Sequence, residues 1–518
     1  MRPLLSLVIF SLVLNPALDA RQPLPAPSPQ NPATVHQAEP QQPPAPAPAP
    51  PQQNPAPVPA QQEPTTQYQQ NPDQEEQPAP LGQPPPVDQV DRFIQPYLQM
   101  GDFSGCILVA RYARILTRKC YGGANYELRV VNTLNTRFHI ASITKAFTAA
   151  GIVILEQQGK LHTGDSLSRY IPNFPSGDKI TIKDLLEHSS GIPSYYDIPE
   201  YDAIKYKSVN FDDLIAIMRK QPLLFEPGKK SAYSDTNYAF LAYIIEKASG
   251  MPYEQFLNDE IFVPFGMKNT GTFSDTTLIP QRASGYQPWI DDPPSGQPLS
   301  PIRHLRLRNA PYYDKTITTG SGSLYSTIDD LYLFYQGLQS KRIFDIESLE
   351  YPYGWGTREF KGRKFLEQSG RDPGFVARIA AFIDYNVVVI VLSNVEVGAD
   401  APIAEGLQTI AFGGEPPLPP PERPAIQETA QSYKIYEGRY QIAPNSIMDV
   451  RVNGDHLFLR GPGGNYLPLE PTGRGSFFYR QMYVSMAFHR DDNGTVDSIV
   501  WGGNYVCKKI PGPPAPWN

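Results

Sequence analysis

The most informative segment of the chain reads Phe138-His139-Ile140-Ala141-Ser142-Ile143-Thr144-Lys145. From Ser142 to Gln158 the residues are apolar on nearly every side, and the run stops at Gly159, which predicts a buried helix with a glycine C-cap. Ser142 and Lys145 are three positions apart and share a helix face, so the amine can reach the hydroxyl. A serine hydroxyl is a poor nucleophile unless a base lies beside it. The segment therefore predicts a nucleophile with its base, and a plain helix N-cap is the alternative role for Ser142.

The same spacing occurs a second time, at Ser176 and Lys179. Ordinary usage of serine and lysine gives about one or two chance matches in a chain of this length. The second match lies in a Pro/Gly-containing loop with no buried helix behind it. The helix that follows Ser142 therefore makes Ser142 the preferred candidate.

A third candidate group, Tyr233-Ser234-Asp235, comes just before another apolar helix, Asn237–Ser249, which is followed by Gly250. A phenol with a pKa near 10 acts as a base only if nearby cations lower that pKa. Lys145 is the cation that the helix geometry offers. The alternatives are an ordinary helix cap for Asp235 and a wall position for Tyr233.

Composition narrows the class of protein. The 518 residues include 45 Lys and Arg, 52 Asp and Glu, three cysteines and 57 prolines, and the net charge is −7. The length predicts two to four domains, and the acidic balance argues against nucleic acid as a partner. Three cysteines are too few for a disulfide scaffold. After the N-terminus no stretch approaches the roughly 18 apolar residues that a membrane span needs.

The N-terminal region predicts export and a spacer. Arg2, the mostly apolar run Leu4–Leu14 and a small residue at Ala20 are typical of a secretory signal, which predicts a secreted or periplasmic protein. Residues 21–90 contain 22 prolines and 16 glutamines. Such a segment has too little apolar surface to offset its ordering entropy, so we predict a disordered tether. A ligand for proline-reading domains is the alternative.

Two apolar runs, Phe103–Ala110 and Ile115–Tyr121, predict a hairpin that carries Cys106 and Cys120 on its arms. A three-residue loop would place the two cysteines opposite each other, whereas a two-residue loop would turn them to opposite faces. Export permits a disulfide, but Cys507 is left over. All three cysteines are interpreted as structural.

Two late runs, Phe375–Ile383 and Asn386–Leu392, predict further strands, and the second is apolar throughout, as in the centre of a sheet. Together with the early hairpin and the interleaved helices, they predict a largely antiparallel α/β sheet.

The C-terminal part changes character after a proline-rich linker at Pro416–Pro424. Between Tyr436 and Ile510, short alternating runs are punctuated by Asn-Gly pairs at 453–454 and 493–494, which are strong hairpin signals. This region predicts a small all-β barrel or meander.

Three motifs, taken in order, resemble those of the serine β-lactamase and penicillin-binding-protein superfamily. They are Ser142-x-x-Lys145, Tyr233-x-Asp235 and Gln368-Ser369-Gly370. The resemblance is closest to the branch of class C β-lactamases, their esterase relatives and D-amino-acid peptidases. Other segments fit the same branch: Phe138-His139-Ile140-Ala141, Leu185-Leu186-Glu187-His188-Ser189-Ser190-Gly191-Ile192-Pro193, Gly266-Met267-Lys268-Asn269-Thr270 and Gly322-Ser323-Leu324-Tyr325-Ser326-Thr327.

The resemblance covers about Asp91 to Gly414, and the C-terminal part resembles the lipocalin-like β-domain that some of these hydrolases carry. It implies a β-lactamase-like antiparallel sheet flanked by helices, a helical subdomain and a barrel-like domain. The predicted layout is a signal peptide (1–20), a Pro/Gln-rich tether (21–90), a hydrolase domain (91–414), a linker (415–432) and a β-domain (433–512).

The resemblance also implies roles for individual residues. Ser142 would be acylated, Lys145 would help to take its proton, and Tyr233 would act as general base for attack and as acid toward the leaving group. The main-chain N–H groups of Ser142 and Arg371 would form the oxyanion hole, and no metal or organic cofactor would be needed. The substrate-binding residues carried over are Asp235, Gln368, Ser369 and Gly370.

Two positions depart from the family pattern. Asp235 stands where Asn is common, and its negative charge is expected to raise the pKa of Lys145. Gln368 stands where Lys or His is usual, so no charge is present to attract a substrate carboxylate. A neutral ester or amide, or a peptide held by its other end, therefore suits the site better. His139 and His188 have no metal-ligand spacing and are interpreted as structural.

The sequence therefore predicts an exported serine hydrolase that forms a covalent acyl-enzyme with an ester, an amide or a D-amino-acid peptide. The alternative is a cell-envelope binding or scaffold protein with the same fold whose catalysis has decayed, in contact with the cell wall. Fold alone does not decide between the two.

Overall fold

The computed structural model describes residues 87–274, 276–289, 306–340, 353–417, 430–443, 446–454, 456–461 and 466–516. The predicted signal peptide, most of the predicted tether and the middle of the predicted linker lie outside these residues. The first helix begins at Val87 and buries Val90, so it includes the last residues of the range predicted as the tether.

The strands before the C-terminal domain are, in chain order, β1 (Gly105–Arg111), β2 (Arg114–Tyr121), β3 (Gly123–Asn125), β4 (Val130–Val131), β5 (Phe138–His139), β6 (Gly271–Thr272), β7 (Tyr286–Trp289), β8 (Arg306–Asn309), β9 (Leu324–Ser326), β10 (Gly356–Phe360), β11 (Arg363–Asp372), β12 (Phe375–Phe382) and β13 (Val387–Ser393). The helices are α1 (Val87–Gln99), α2 (Thr144–Gln157), α3 (Ile182–Leu186), α4 (Tyr201–Ile204), α5 (Phe211–Met218), α6 (Asp235–Ser249), α7 (Tyr253–Leu257), α8 (Val263–Phe265), α9 (Ile328–Gln339), α10 (Asp400–Ala411) and α11 (Ala430–Tyr433).

A six-stranded sheet forms the centre of the first domain, in the order β10-β11-β12-β13-β1-β2, and every neighbouring pair is antiparallel. This confirms the predicted antiparallel α/β architecture. Strand β13 is buried along its whole length, as expected for a central strand. Alternate residues of a strand face opposite sides of the sheet. Val388 and Ile390 therefore join one core, whereas Val389 and Val391 join the other.

Helices cover both faces of this sheet. On one face α1 packs directly on α10, because Phe93 fills the space next to Gly406, where even a Cβ would lie 2.0 Å from the Phe93 ring. On the other face lies the larger core, which includes α2, α6, α9 and the helical subdomain. The predicted helix after Ser142 is confirmed, with buried residues on all sides and a left-handed Gly159 (φ 68°) just beyond its end.

The β1–β2 hairpin resolves the two alternatives for its cysteines. The turn holds two residues, since Arg111 pairs with Arg114, and both Tyr112 and Ala113 have positive φ. A two-residue turn alone would put Cys106 and Cys120 on opposite faces. A bulge next to Ala110 shifts the register by one residue, so the two cysteines pair and form a disulfide.

The C-terminal domain is a nine-stranded antiparallel sheet that forms a nearly closed barrel, which confirms the all-β prediction. Its edge strands β17 and β18 are separated in the chain by Leu469 alone, and its core is rich in aromatic residues. The strands are β14 (Gly438–Ala443), β15 (Ser446–Asn453), β16 (His456–Arg460), β17 (Tyr466–Pro468), β18 (Glu470–Gly473), β19 (Ser476–Tyr479), β20 (Val484–Arg490), β21 (Val496–Trp501) and β22 (Tyr505–Ile510).

One turn of the barrel, residues 480–483 between β19 and β20, contacts the first domain. Arg480 forms an ion pair with Asp102, which lies between α1 and β1. The backbone of Met482 closes over Gly398, where a Cβ would lie 2.8 Å from the Met482 carbonyl carbon. Tyr483 stacks near Tyr97 of α1, with 5.8 Å between the ring centres. This turn therefore fixes the barrel to the face of the sheet that α1 and α10 cover.

Candidate active site

Ser142 lies in a single 3₁₀ turn, Ala141–Ile143, that leads directly into α2. The first N–H groups of such a segment have no acceptor within the helix, so they are available to bind an anion. The residue before the serine, Ala141, has a φ of 45°, a left-handed conformation that is strained for a residue with a Cβ. Local geometry therefore presents the Ser142 hydroxyl and N–H at a helix N-terminus.

The structure brings the three predicted catalytic residues together. The Ser142 Oγ lies 3.0 Å from the Tyr233 hydroxyl and 3.1 Å from the Lys145 Nζ. The Lys145 Nζ also lies 4.9 Å from the centre of the Tyr233 ring. All three functional groups therefore share one hydrogen-bonded cluster, although Tyr233 is some ninety positions further along the chain.

Lys145 is almost completely buried, and its amine has three partners. The Nζ contacts the Asp235 Oδ1 at 2.7 Å and the Ser321 carbonyl oxygen at 2.7 Å, in addition to the Ser142 Oγ. The amine donates to all three, and its contact with Asp235 is an ion pair. Loss of one proton would leave a lone pair that can accept the Ser142 hydroxyl.

Burial decides the direction of the Lys145 pKa. Loss of hydration lowers the pKa from its usual 10.5, and the neighbouring Asp235 carboxylate works in the opposite direction without overcoming it. The expected upward contribution of Asp235 is therefore present, but burial outweighs it and the net Lys145 pKa is lowered.

Tyr233 keeps its proton. The residue is 37% exposed, and its hydroxyl lies 3.5 Å from the Asp235 Oδ1 as well as next to Ser142. Burial and then the Asp235 charge raise the Tyr233 pKa well above 10. The hydrogen bond to Ser142 lowers the Tyr233 pKa, but it does not overcome this rise. The phenol is thus suited to pass a proton on rather than to hold a negative charge.

Two residues that the sequence did not single out for this purpose hold the cluster in place. His188 is half-buried and neutral, since desolvation of its ring and then Lys145 lower its pKa to about 3. Its Nδ1 accepts the N–H of Ser234 at 3.1 Å, and its ring packs 4.6 Å from the Tyr233 ring. This agrees with the structural interpretation of His188. The Ser194 hydroxyl donates to the Asp235 Oδ2 at 3.2 Å.

The Gln368-Ser369-Gly370 motif lies on β11, next to the 3₁₀ turn. The Gln368 side chain is occupied within the protein, because its Nε2 donates to the Gly354 carbonyl at 2.5 Å and its Oε1 accepts the Ser369 N–H. At Gly370 any side chain would collide with the turn, since a Cβ would lie 2.2 Å from the Ile140 carbonyl oxygen and 3.0 Å from the Ser142 nitrogen. A glycine is required for this close approach.

The edge of β11 beside the serine has no strand partner among the described residues. Strand β10 pairs with β11 only from Arg363 to Glu367, whereas β12 continues along its other edge to Asp372. Residues Gln368–Asp372 therefore present a free edge, with Gly370 against the Ser142 nitrogen. Arg371, which follows Gly370, lies where the resemblance places the second oxyanion donor.

A buried charge cluster next to this edge was missed by sequence reasoning. The Asp372 carboxylate binds Lys315 and lies 3.2 Å from the His139 Nδ1. Burial opposes the charge on Asp372, but Lys315 and His139 together lower its pKa to about 2. The acidic partner of His139 comes from a strand far along the chain, so local spacing could not reveal it.

The second Ser-x-x-Lys match is not part of the site. Ser176 and Lys179 are both exposed in a loop, and Ser176 has a φ of 55°. Within the ranges that the structure covers, no cluster of His, Cys, Asp or Glu could hold a metal ion. In the same ranges no helix has the length and apolar character to cross a bilayer.

The chain has an antiparallel α/β domain with a helical subdomain and a Ser–Lys–Tyr cluster at a helix N-terminus. This combination is typical of the β-lactamase fold. The Beta-lactamase family model matches residues 90–411, and the chain belongs to this family. A second model, for a domain of unknown function (DUF3471), matches residues 422–509, which include the barrel strands up to part of β22.

Among curated relatives, penicillin-binding protein 4* of Bacillus subtilis (strain 168) is 31% identical over 428 residues, which cover 77% of this chain and 93% of that protein. The putative penicillin-binding protein PbpX of the same organism is 32% identical over 318 residues, covering 60% and 76%.

Two solved structures share the fold. An octameric penicillin-binding protein homologue from Pyrococcus abyssi has a TM-score of 0.55 at 24% identity, covering 81% of this chain and 99% of that one. The D-amino acid amidase from Ochrobactrum anthropi SV3 has a TM-score of 0.54 at 21% identity, covering 63% and 99%.

Proposed function

We propose that this protein is an exported serine hydrolase that forms a covalent acyl-enzyme on Ser142. The observation that carries the proposal is the buried Lys145 amine, which lies 3.1 Å from the Ser142 hydroxyl and has a lowered pKa. A base poised in this way is what a serine needs to become a nucleophile. A binding protein whose catalysis had decayed would have no need to keep an amine buried at this position.

In the first half of the reaction, the Ser142 Oγ attacks the substrate carbonyl carbon, and its proton passes to the Lys145 amine, directly or through the Tyr233 hydroxyl. The negative charge on the carbonyl oxygen is held by the N–H groups of Ser142 and Arg371. The bond to the leaving group then breaks, and Tyr233 donates a proton to that group and regains one from Lys145. Ser142 is left as an ester.

In the second half, a water molecule attacks the ester carbonyl, and its proton passes to the same Lys145–Tyr233 pair. The Ser142 Oγ leaves, takes the proton back and releases the acid. The Asp235 carboxylate is paired with Lys145, and the Gln368 side chain is hydrogen-bonded to the main chain. Both residues therefore act by organising the site. Ser369 and Gly370 contribute main-chain atoms to the wall of the site. None of these steps uses a metal or an organic cofactor.

The substrate class follows from charge. With Gln368 in place of a cation, no free positive side chain of this motif is available to a carboxylate, so neutral esters or amides, including those of D-amino acids, are the substrates we propose. The homologues support this range, since they include penicillin-binding proteins and a D-amino acid amidase. Contact with cell-wall peptides and the lipocalin-like character of the barrel also belong to the proposal.

The assignment of the nucleophile is tested by active-site labelling. A fluorophosphonate probe is expected to modify the wild-type protein once and to leave Ser142→Ala unmodified, as read by intact mass. Ser176→Ala is the matched control, because it removes the other Ser-x-x-Lys serine from an exposed loop, and it is expected to label fully. Labelling of Ser142→Ala at the wild-type level would contradict the proposal and favour the binding-protein alternative.

The role of charge at Gln368 gives a second prediction. Gln368→Lys is expected to raise the ratio of kcat/KM for a carboxylate-bearing ester over a neutral ester about 5- to 10-fold, because one added charge near the cleft is worth on the order of 1 kcal/mol or more. Gln368→Glu is the control with the opposite sign and should lower the same ratio. Ratios that stay unchanged in both variants would show that the cleft does not sense charge at this position.

A further inference from the structure

A small cavity of about 190 Å³ is lined by the end of β11 and by residues between 313 and 318. Three tyrosines, Tyr196, Tyr201 and Tyr313, form much of its wall, and Thr318 and Arg371 line it as well. Cavities of about 150 Å³ are large enough to hold benzene. The volume therefore fits a single six-membered ring.

The cavity shares its walls with the catalytic elements. Arg371 directly follows Gly370, which lies against the Ser142 nitrogen. On the other side, the Thr318 carbonyl accepts the hydroxyl of Ser321, whose own carbonyl binds the Lys145 amine. The walls of the cavity are therefore connected to the Ser142 and Lys145 positions through direct neighbours of both.

The position of Tyr233, the proposed proton donor, indicates which side of the substrate faces the cavity. Tyr233, the proposed proton donor to the leaving group, does not line the cavity, whereas Arg371, a proposed oxyanion donor, does. The leaving group belongs next to Tyr233. The cavity is therefore on the acyl side of the scissile bond.

The charged groups in the wall already have partners. Lys315 is paired with Asp372, and the Arg371 guanidinium faces Asp400 at 3.7 Å. The Asp314 carboxylate accepts the N–H and the hydroxyl of Thr316. The two cations in the wall each face a carboxylate, whereas Asp314 keeps its negative charge, so the residues that line the cavity offer no free cation to a ligand.

The aromatic wall is supported from behind. Tyr196 packs edge-on against Tyr201, with 5.0 Å between ring centres. The Lys205 ammonium lies 6.0 Å from the Tyr201 ring and 5.7 Å from the Tyr313 ring. Aromatic walls favour edge-to-face or offset contact with another ring.

We propose, on the basis of the proposed function, that this cavity binds an uncharged aromatic ring in the acyl part of the substrate, so that arylacetyl or aromatic aminoacyl esters and amides are the preferred class. Tyr196, Tyr201 and Tyr313 determine this specificity, and the lack of a free cation in the wall disfavours rings that carry a negative charge.

The kinetic test compares p-nitrophenyl phenylacetate with p-nitrophenyl acetate, each corrected for its uncatalysed rate. The wild-type full-length chain is expected to prefer the phenylacetyl ester in kcat/KM. Tyr201→Ala should reduce that preference about 2- to 10-fold, the range of one aromatic contact. Tyr112→Ala, an exposed tyrosine at the β1–β2 turn, is the control and should keep the preference. Equal rates for both esters in the wild type, or equal losses for both in Tyr201→Ala, would overturn the cavity assignment.

A binding test separates this proposal from the proposed function. Phenylacetamide is titrated into Ser142→Ala, with and without Tyr201→Ala, and followed by ligand-observed NMR. Binding that needs Tyr201 supports the cavity even if the serine fails to label. A different result would overturn the cavity assignment and keep the proposed hydrolase: the fluorophosphonate labels Ser142, but phenylacetamide does not bind, or it binds equally with and without Tyr201→Ala.

Discussion

Lys145→Met is expected to lower kcat about 10²- to 10⁴-fold, the range that a positioned general base supplies. The amine is the only base in contact with the Ser142 hydroxyl among the described residues, since Tyr233 stays protonated. Steady-state kinetics on a neutral ester, with circular dichroism as a check on folding, measures the effect. A variant that folds and retains wild-type turnover would show that the serine is activated without Lys145.

The pH dependence of kcat/KM distinguishes a lysine that acts as a base from one that is only structural, because only the base changes this dependence. Activity requires the neutral amine, so kcat/KM is expected to rise with pH and to level off below the usual lysine pKa of 10.5. Asp235 raises the Lys145 pKa, so Asp235→Asn should shift this rise to lower pH. A rise that stays in place, or one that moves to higher pH, would contradict the assignment of Lys145 as the base.

Arg480→Met is expected to destabilise the protein by about 3–5 kcal/mol, because it leaves the Asp102 carboxylate buried and unpaired. The Asp102 side chain is fully buried, and Arg480 donates to it and to Glu470. The same substitution removes an ion pair between the barrel and the first domain. The loss is measured as a shift of the unfolding midpoint in denaturant.

The pH dependence of that loss has a defined sign. Burial already raises the Asp102 pKa above its usual 3.8, although Arg480 opposes the shift, so the pKa rises further without the arginine. A group whose folded pKa is raised binds a proton more tightly in the folded state, so stability falls as pH rises between the unfolded and folded pKa values. The deficit of Arg480→Met should therefore be smaller near pH 4 than at pH 8.

An exposed ion pair serves as the control for this prediction. Arg118 pairs with Asp329, and their side chains are 40% and 34% exposed. Exposed pairs contribute at most about 1 kcal/mol, so Arg118→Met should leave the unfolding midpoint nearly unchanged. Equal losses in the two variants would show that burial of Asp102 does not set the cost.

Several features of the fold were predictable from local sequence. The apolar run after Ser142, the alternation in the C-terminal region and the Asn-Gly turns depend on residues close together in the chain. The Ser142–Lys145 contact was predictable for the same reason, since the helix period alone puts the two side chains on one face. The hairpin was predicted, but its register was not, because one bulged residue reverses the facing of every side chain beyond it.

The electrostatics of the site could not be predicted from the sequence. Asp235 next to Lys145 suggested a raised lysine pKa, and the structure has a lowered one, because the depth of burial outweighs one neighbouring charge. The pairing of Asp372 with Lys315 and His139 joins three distant segments.

By itself, the sequence determined the family and the candidate nucleophile with its adjacent lysine, since these depend on residue type and on spacing within a single helix. The tertiary structure alone decided that burial lowers the Lys145 pKa, how the cysteines pair and where a ring-sized cavity lies. Those properties depend on desolvation and on contacts between residues far apart in the chain, and both are fixed only when helices and strands pack against one another.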